Sequence, residues 1–253
     1  MIRMARPYSQ FVEAYDGLVG WQFFRRVRRA FAALARTYGI RFESAADLGC
    51  GTGLFACYLN RCWGARVYAV DRSPEMLRVA RLRCDGPGVR FLQQDIRALC
   101  LPEPVDLVTA NFDTLNHLLS PPDLHRAFRR VAANLRSGGH FYFDIVTPCR
   151  PLAGERTYRR ALRVPWRCLE QHVRWEPARR LLRILVVHRW AGGGGPVIER
   201  HAERAYEPAR VGDGLLAAGL VIRGVHDEAT LAPAGHCPAR LIVVAQKPGG
   251  ARS

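Results

Sequence analysis

The chain has 253 residues, 49% apolar and 24% charged, within the ordinary globular range and long enough for one substantial core with a subdomain attached. No apolar run reaches the ~18 residues that span a bilayer, and the first eleven residues lack the apolar stretch of a signal peptide, so a cytoplasmic chain with no membrane partner is expected. The net charge of +16 suits a nucleic-acid partner, but Lys247 is the only lysine and arginines are spread along the whole chain, which leaves nucleic acid an open but disfavoured partner.

The eight cysteines include no CxxC pair. Cys50, Cys57 and Cys84 sit in apolar or helical surroundings, so reduced, mostly buried thiols are expected rather than disulfides or a metal site.

Apolar residues recur at three- and four-residue steps from Phe11 to Tyr38 (Phe24, Val27, Phe31, Leu34), predicting an amphipathic helix. Arg25-Arg26-Val27-Arg28-Arg29 falls on its solvated face. A short strand over 45–48 runs into Gly49-Cys50-Gly51-Thr52-Gly53, and 54–59 reads as helix. The beat repeats, with a strand at 66–70, a helix at 74–84 capped by Ser73, strands at 89–93 and 105–110, a helix at 123–135 and a strand at 140–146. Strand and helix alternating at this pitch imply a parallel sheet covered on both faces, with its ligand crevice at the carboxyl ends of the strands.

After Pro148 the rhythm breaks. Three β-rich segments, 166–175, 181–190 and 197–206, are joined by Glu176-Pro177-Ala178-Arg179 and by the run Gly192–Gly195. A helix at 211–218 and strands at 221–226 and 240–246 follow, the last pair suited to an antiparallel edge. The fold expected is α/β: a doubly wound, mostly parallel, seven-stranded Rossmann-like sheet with an inserted antiparallel β ribbon after the fifth strand. Residues 1–39 would form a helical cap, 40–149 and 207–253 the core, and 150–206 the inserted substrate subdomain.

A glycine turn between strand and helix lets backbone approach a ligand and aims a helix N-terminus at it. The spacing Asp47-x-Gly49-x-Gly51-x-Gly53 departs from the G-x-G-x-x-G of nicotinamide binders, and its leading carboxylate suits a ligand carrying an ammonium. Asp71 closes the next strand, eighteen residues beyond Gly53, where a carboxylate can accept both hydroxyls of a ribose. Asp95 follows the third strand and could take an adenine amino group, with Ile96 packed on the ring.

Asp47-Leu48-Gly49-Cys50-Gly51-Thr52-Gly53, Asp71-Arg72-Ser73-Pro74-Glu75-Met76-Leu77 and Asp95 resemble the successive motifs of the class I S-adenosylmethionine-dependent methyltransferases. Tyr8-Ser9-Gln10-Phe11-Val12-Glu13-Ala14-Tyr15-Asp16 is similar to the leader of a small-molecule branch that includes glycine and amino-sugar N-methyltransferases, and Ala110–Leu118 resembles its fourth motif; Arg204-x-Tyr206 is a looser echo. The resemblance implies S-adenosylmethionine as cofactor and a small-molecule acceptor methylated at N or O. It places Gly49, Gly51 and Gly53 at the methionine portion, with Cys50 among them and Asp47 supporting the ammonium, and it places Asp71, with Arg72 beside it, at the ribose. Met76 would lie at the adenine and Asn111 and Phe112 beneath the sulfonium, with Tyr8, Tyr15 and Trp21 above. Asp47 could equally cap the following helix, and the tyrosines could simply pack.

Methyl transfer needs an aligned acceptor more than a base, although a hydroxyl acceptor benefits from one. The candidates are His117, Asp113, Asp144 and His201. His117 is preferred, because its motif places it at the crevice mouth and imidazole titrates near neutrality. His201 shares a ribbon face with Glu199 and Glu203 by strand alternation, a face that could receive a basic acceptor or meet water. Trp166, Trp175, Trp190 and Tyr206 could wall an acceptor pocket or pair across strands. An RNA methyltransferase is the first alternative and a non-catalytic cofactor-binding protein the second. Asn111-Phe112-Asp113-Thr114 lacks the N-P-P-aromatic pattern of base amino methylation.

Overall fold

A computed structural model describes residues 2–149, 156–164 and 167–249. The chain opens with a short strand, β1 (Arg3–Ala5), then α1 (Val12–Tyr15), a π-helical turn at Asp16–Gly20, and α2 (Trp21–Thr37). One continuous helix was expected here. The π turn divides it, and Asp16 at the break accepts a bond from Thr52 Oγ1 (2.6 Å) and pairs with Arg83. Such turns need a tertiary partner to hold them, and Asp16 has two.

The core follows as β2 (Ser44–Leu48), α3 (Leu54–Trp63), β3 (Arg66–Asp71), α4 (Pro74–Arg83), β4 (Val89–Gln93), β5 (Val105–Ala110), α5 (Pro121–Asn134) and β6 (Leu135–Val146). Ser73 Oγ accepts the Met76 N–H and Ser120 Oγ the Asp123 N–H, with Pro in the first turn of each helix, so both starts are written locally. The remaining elements are β7 (Arg156–Val164), β8 (Arg167–Glu176), β9 (Leu181–Trp190), β10 (Val197–Arg204), α6 (Pro208–Ala217), β11 (Val221–Asp227) and β12 (Arg240–Gln246).

The main sheet has seven strands in the order β4-β3-β2-β5-β6-β12-β11. The first five are parallel, and β12 runs antiparallel to β6 and β11. Strand alternation sends Leu48, Val70, Val108 and Phe143 into a core with Phe128 and Leu215 of α5 and α6. Ala45, Val67, Leu107 and Tyr142 enter the opposite core with Phe31 and Phe55 of α2 and α3. A sheet apolar on both faces is the Rossmann-like, doubly wound arrangement, and its strand order reverses at β2, which opens a crevice beyond the carboxyl ends of β2, β3 and β5.

The inserted strands form a second sheet in the order β1-β10-β9-β8-β7, antiparallel except where β1 lies parallel to β10. The leader strand was not foreseen, being too short for a periodic signal. Trp166 lies outside the described residues, as does part of the segment between β6 and β7. Among the described residues, no helix is long and apolar enough to cross a membrane.

The cysteine expectation is corrected. Cys57 of α3 is bonded to Cys84 at the end of α4, and Cys149 after β6 to Cys237 before β12. Of the free thiols Cys50 is buried, but Cys62 and Cys100 are exposed. Composition could not reveal this, because the pairs lie 27 and 88 residues apart and only helix packing and sheet closure bring their Cα atoms to 5.7 and 5.4 Å.

Candidate active site

Beyond the carboxyl ends of β2, β3, β4 and β5 lies a cavity of about 330 Å³, in the size range of small-ligand pockets. Gly49, Gly51, Asp71, Arg72, Met76, Asp95, Ile96 and Phe112 all border it, as do Tyr8, Tyr15 and His117 on the far side. Residues from eight parts of the chain thus meet in one place.

The three glycines do different work. Gly51 sits at φ +54°, with nothing within 4 Å of where a Cβ would be, and faces open space. Gly49 (φ +63°) packs against the Thr114 side chain, which a Cβ would overlap. Gly53 (φ +81°) does not border the cavity; a Cβ there would lie 3.0 Å from the Ala80 Cβ, so this glycine lets α3 approach α4. The structure shows this glycine in helix packing rather than on the cavity wall expected for it. Cys50 and Asp47 are likewise absent from the cavity wall. Asp47 is buried beneath the loop and accepts Thr109 Oγ1 at 2.8 Å, and burial pushes its carboxyl up to about 7.

Asp71 borders the cavity with each carboxylate oxygen holding one backbone N–H: Oδ2 that of Gly51 (2.9 Å) and Oδ1 that of Ser73 (2.8 Å). Burial raises its pKa despite those bonds. Asp95 is differently placed from the expectation. Its carboxylate is taken by Arg97 Nη2 (2.6 Å) and Nε (3.0 Å) and caps the turn Ile96–Ala98 through the Arg97 N–H. Arg97 holds this carboxyl below its ordinary value, so Asp95 shapes the wall rather than offering free oxygens.

Beyond β5 the chain turns sharply, with Phe112 and Asp113 at φ near +60°. Asp144 of β6 fixes that conformation by accepting the N–H groups of Phe112 (2.8 Å) and Asp113 (3.0 Å). Arg240 of β12 pairs with both Asp113 and Asp144, and neither acid borders the cavity. The same guanidinium stacks on Phe23, whose ring meets Phe112 edge-on. Asn111 is buried and does not border the cavity, and among the described residues neither its Oδ1 nor its Nδ2 has a hydrogen-bond partner.

His117 borders the same cavity as Gly49 and Gly51. Its Nδ1 faces the Ala202 carbonyl at 3.3 Å, which can only accept, so that nitrogen carries the proton and Nε2 accepts from the Tyr8 hydroxyl at 2.9 Å. Burial pushes the imidazole down to about 4, leaving it neutral at physiological pH. His201 does not border the cavity: its Nε2 bonds Glu199 at 3.1 Å, and the face it shares with Glu199 is buried under the leader rather than open to an acceptor or to water. Trp21 is half exposed and stacks with Phe24 and Arg83 instead of closing the site. Tyr206 donates to the Leu118 and Ser120 carbonyls and so braces the segment carrying His117.

Gln94, Arg97, Thr114, Leu118, Leu119 and Asp123 also border the cavity. Thr114 and Leu118 lay inside the fourth motif and could have been inferred from it. Asp123 had no local signal, since it reaches the site as the first turn of α5.

Residues 45–139 match the model of a methyltransferase domain family. Over 115 residues the chain is 44% identical to the trans-aconitate 2-methyltransferase of Azoarcus sp. (strain BH72), an alignment covering 45% of this chain and 43% of that one. The chain spans about half the length of the curated relatives it matches. An S-adenosylmethionine-dependent methyltransferase from Clostridium acetobutylicum ATCC 824 superposes with a TM-score of 0.79 at 25% identity, over 96% of this chain and 99% of that one. An amino pentose methyltransferase from Micromonospora echinaspora shares the fold, with a TM-score of 0.71 at 22% identity over 94% and 97% of the two chains. Residues 45–139 thus resemble a methyltransferase domain, and the chain shares the Rossmann-like fold of S-adenosylmethionine-dependent methyltransferases.

Proposed function

We propose that this protein is an S-adenosylmethionine-dependent methyltransferase acting on a small-molecule acceptor, with a nitrogen acceptor favoured over oxygen. One observation carries the reading: the glycine loop, the strand-end carboxylate Asp71, Met76, Ile96 and Phe112 share a single cavity with the Tyr8–His117 pair.

The residues present fit the cofactor. Each Asp71 oxygen has spent one acceptor site on backbone and keeps another, which matches two neighbouring ribose hydroxyls. Met76 and Ile96 supply apolar walls for a purine. Tyr8 and Tyr15 close the side opposite the loop. When bound, S-adenosylmethionine supplies a methyl group already activated on a sulfonium.

The protein's own contribution is then alignment and exclusion of water. Tyr8 directs its proton to His117, so its oxygen lone pairs point at an incoming N–H, fixing the acceptor's own lone pair toward the methyl. His117 stays neutral and adds no charge beside a cationic donor. Of the candidate bases, Asp113 and His201 do not border the cavity, and His117 is weakened by burial. That set orients an amine that has already lost its proton, and serves a hydroxyl poorly.

The test is to incubate purified protein with labelled donor and a metabolite extract, with and without nuclease, and to identify the product. A low-mass, nuclease-resistant amine is expected, and label found in nucleic acid alone would defeat the proposal. Calorimetry with S-adenosylhomocysteine adds a check independent of turnover: Asp71→Ala should weaken binding at least tenfold.

A further inference from the structure

Glu199 is fully buried on β10, on the second sheet, yet its carboxylate is bound almost entirely by a segment about 190 residues earlier in the chain. Oε2 accepts the backbone N–H of Tyr8 (2.9 Å) and faces His201 Nε2 (3.1 Å), while Oε1 accepts the N–H groups of Phe11 (2.9 Å) and Gln10. We propose that Glu199 is a positioning residue of this site: it latches residues 8–11 closed and thereby sets the Tyr8 hydroxyl against His117. The inference rests on the methyltransferase reading for what the latch serves, though not for its existence.

Three features carry it. Tyr8 adopts a left-handed conformation, φ +65°, which a residue with a Cβ holds only when its surroundings dictate it. Three N–H groups converging on one side chain require an acceptor with two oxygens, and only a carboxylate offers that. The neighbours also act on the leader. The His201 ring lies under the Tyr8 ring at 4.6 Å, and β1 pairs with β10 so that Ala5 faces Glu199. From β8 the buried Arg167 reaches the Gln10 carbonyl and Glu13, with His188 Nδ1 at 2.6 Å behind it. Burial favours a protonated Glu199, but the bonds from His201 and from the Gln10 and Phe11 N–H groups outweigh it and keep the group ionised.

The latch can be separated from simple stability. In Glu199→Gln, whichever way the amide turns, one arm of the fork becomes a donor facing an N–H. Leader peptides in full-length protein should then exchange amide hydrogens at least tenfold faster, while the main-sheet strands keep their protection. His117, followed by imidazole NMR, should titrate more than one pH unit higher as water reaches it, a change that loss of global stability would not produce. Unchanged leader exchange or an unmoved His117 titration would overturn the proposal. Should the variant fail to fold, the unaltered protein still decides: the amides of Tyr8, Gln10 and Phe11 should exchange at least tenfold more slowly than an unstructured chain, and free exchange would overturn it. Calorimetry of the unaltered protein with S-adenosylhomocysteine tests the functional reading separately. No heat there would remove that reading and leave the exchange result standing.

Discussion

The Tyr8 hydroxyl and His117 Nε2 lie 2.9 Å apart across 109 residues of sequence, joining the leader to the loop beyond β5. The hydrogen bond runs one way only, from phenol to imidazole, because the Ala202 carbonyl occupies the other ring nitrogen. Tyr8→Phe should therefore lower kcat about ten- to a hundredfold while leaving donor affinity within about threefold. A full kcat in that variant would remove Tyr8 from acceptor alignment.

The pH dependence follows from His117. Its folded value of about 4 lies below the ordinary 6.5, so the neutral ring persists at neutral pH and its contribution to stability is lost only as pH falls from 6.5 toward 4. The kcat profile of the unaltered enzyme should show no inflection near 6.5 that His117→Asn abolishes. Finding one would show that the ring is hydrated and titrates during turnover.

Asp47 works with the opposite sign. Its folded pKa of about 7 lies above the unfolded 3.8, so the stability it supports is complete below 3.8 and is lost as pH rises through 7. Asp47→Asn keeps an acceptor for Thr109 and cannot ionise. Its stability relative to the parent should rise between pH 4 and pH 7.5 by a few kcal/mol, at ~1.4 kcal/mol per pH unit of displacement. Denaturant melts at four pH values decide this, and a flat difference would contradict it.

Gly51 and Gly53 should separate cleanly. Gly51→Ala places a methyl in open space at positive φ, costing about 1 kcal/mol of stability, and should weaken S-adenosylhomocysteine binding far more than it weakens the fold. Gly53→Ala sets a methyl 3.0 Å from Ala80 and should show its main effect in the melting curve. Equal effects of the two on binding and on melting would refute the division of roles.

Removing one member of the Arg240–Asp113–Asp144 cluster leaves buried charge unpaired. Arg240→Met should cost about 3–5 kcal/mol. It should also increase amide exchange at Phe112 and Asp113, whose N–H groups Asp144 holds. A loss under 1 kcal/mol would mean that water replaces the guanidinium.

The cysteines allow a direct count. Denatured but unreduced protein should show four reactive thiols, and reduction should lower stability by about 2–4 kcal/mol per bridge. Eight thiols before reduction would dissolve both bridges.

Local patterning was enough to write the alternating core. Ser73 and Ser120 cap their helices within four residues, Ala45–Ala46 and Leu107–Val108 alternate between two apolar faces, and the strand-end acid Asp71 sits where the β3 pattern stops. Such signals are readable because the interactions that enforce them lie within one turn or one strand pair. What Asp47, Asp95, Gly53 and Asp113 actually touch was decided by partners brought together only by packing: Thr109, Arg97, Ala80 and Arg240. The same holds for the two disulfides and for Glu199, whose three N–H partners come from the far end of the chain. A carboxylate's role depends on which donors enter its few ångströms of surroundings, and periodicity carries no information about distances across the fold.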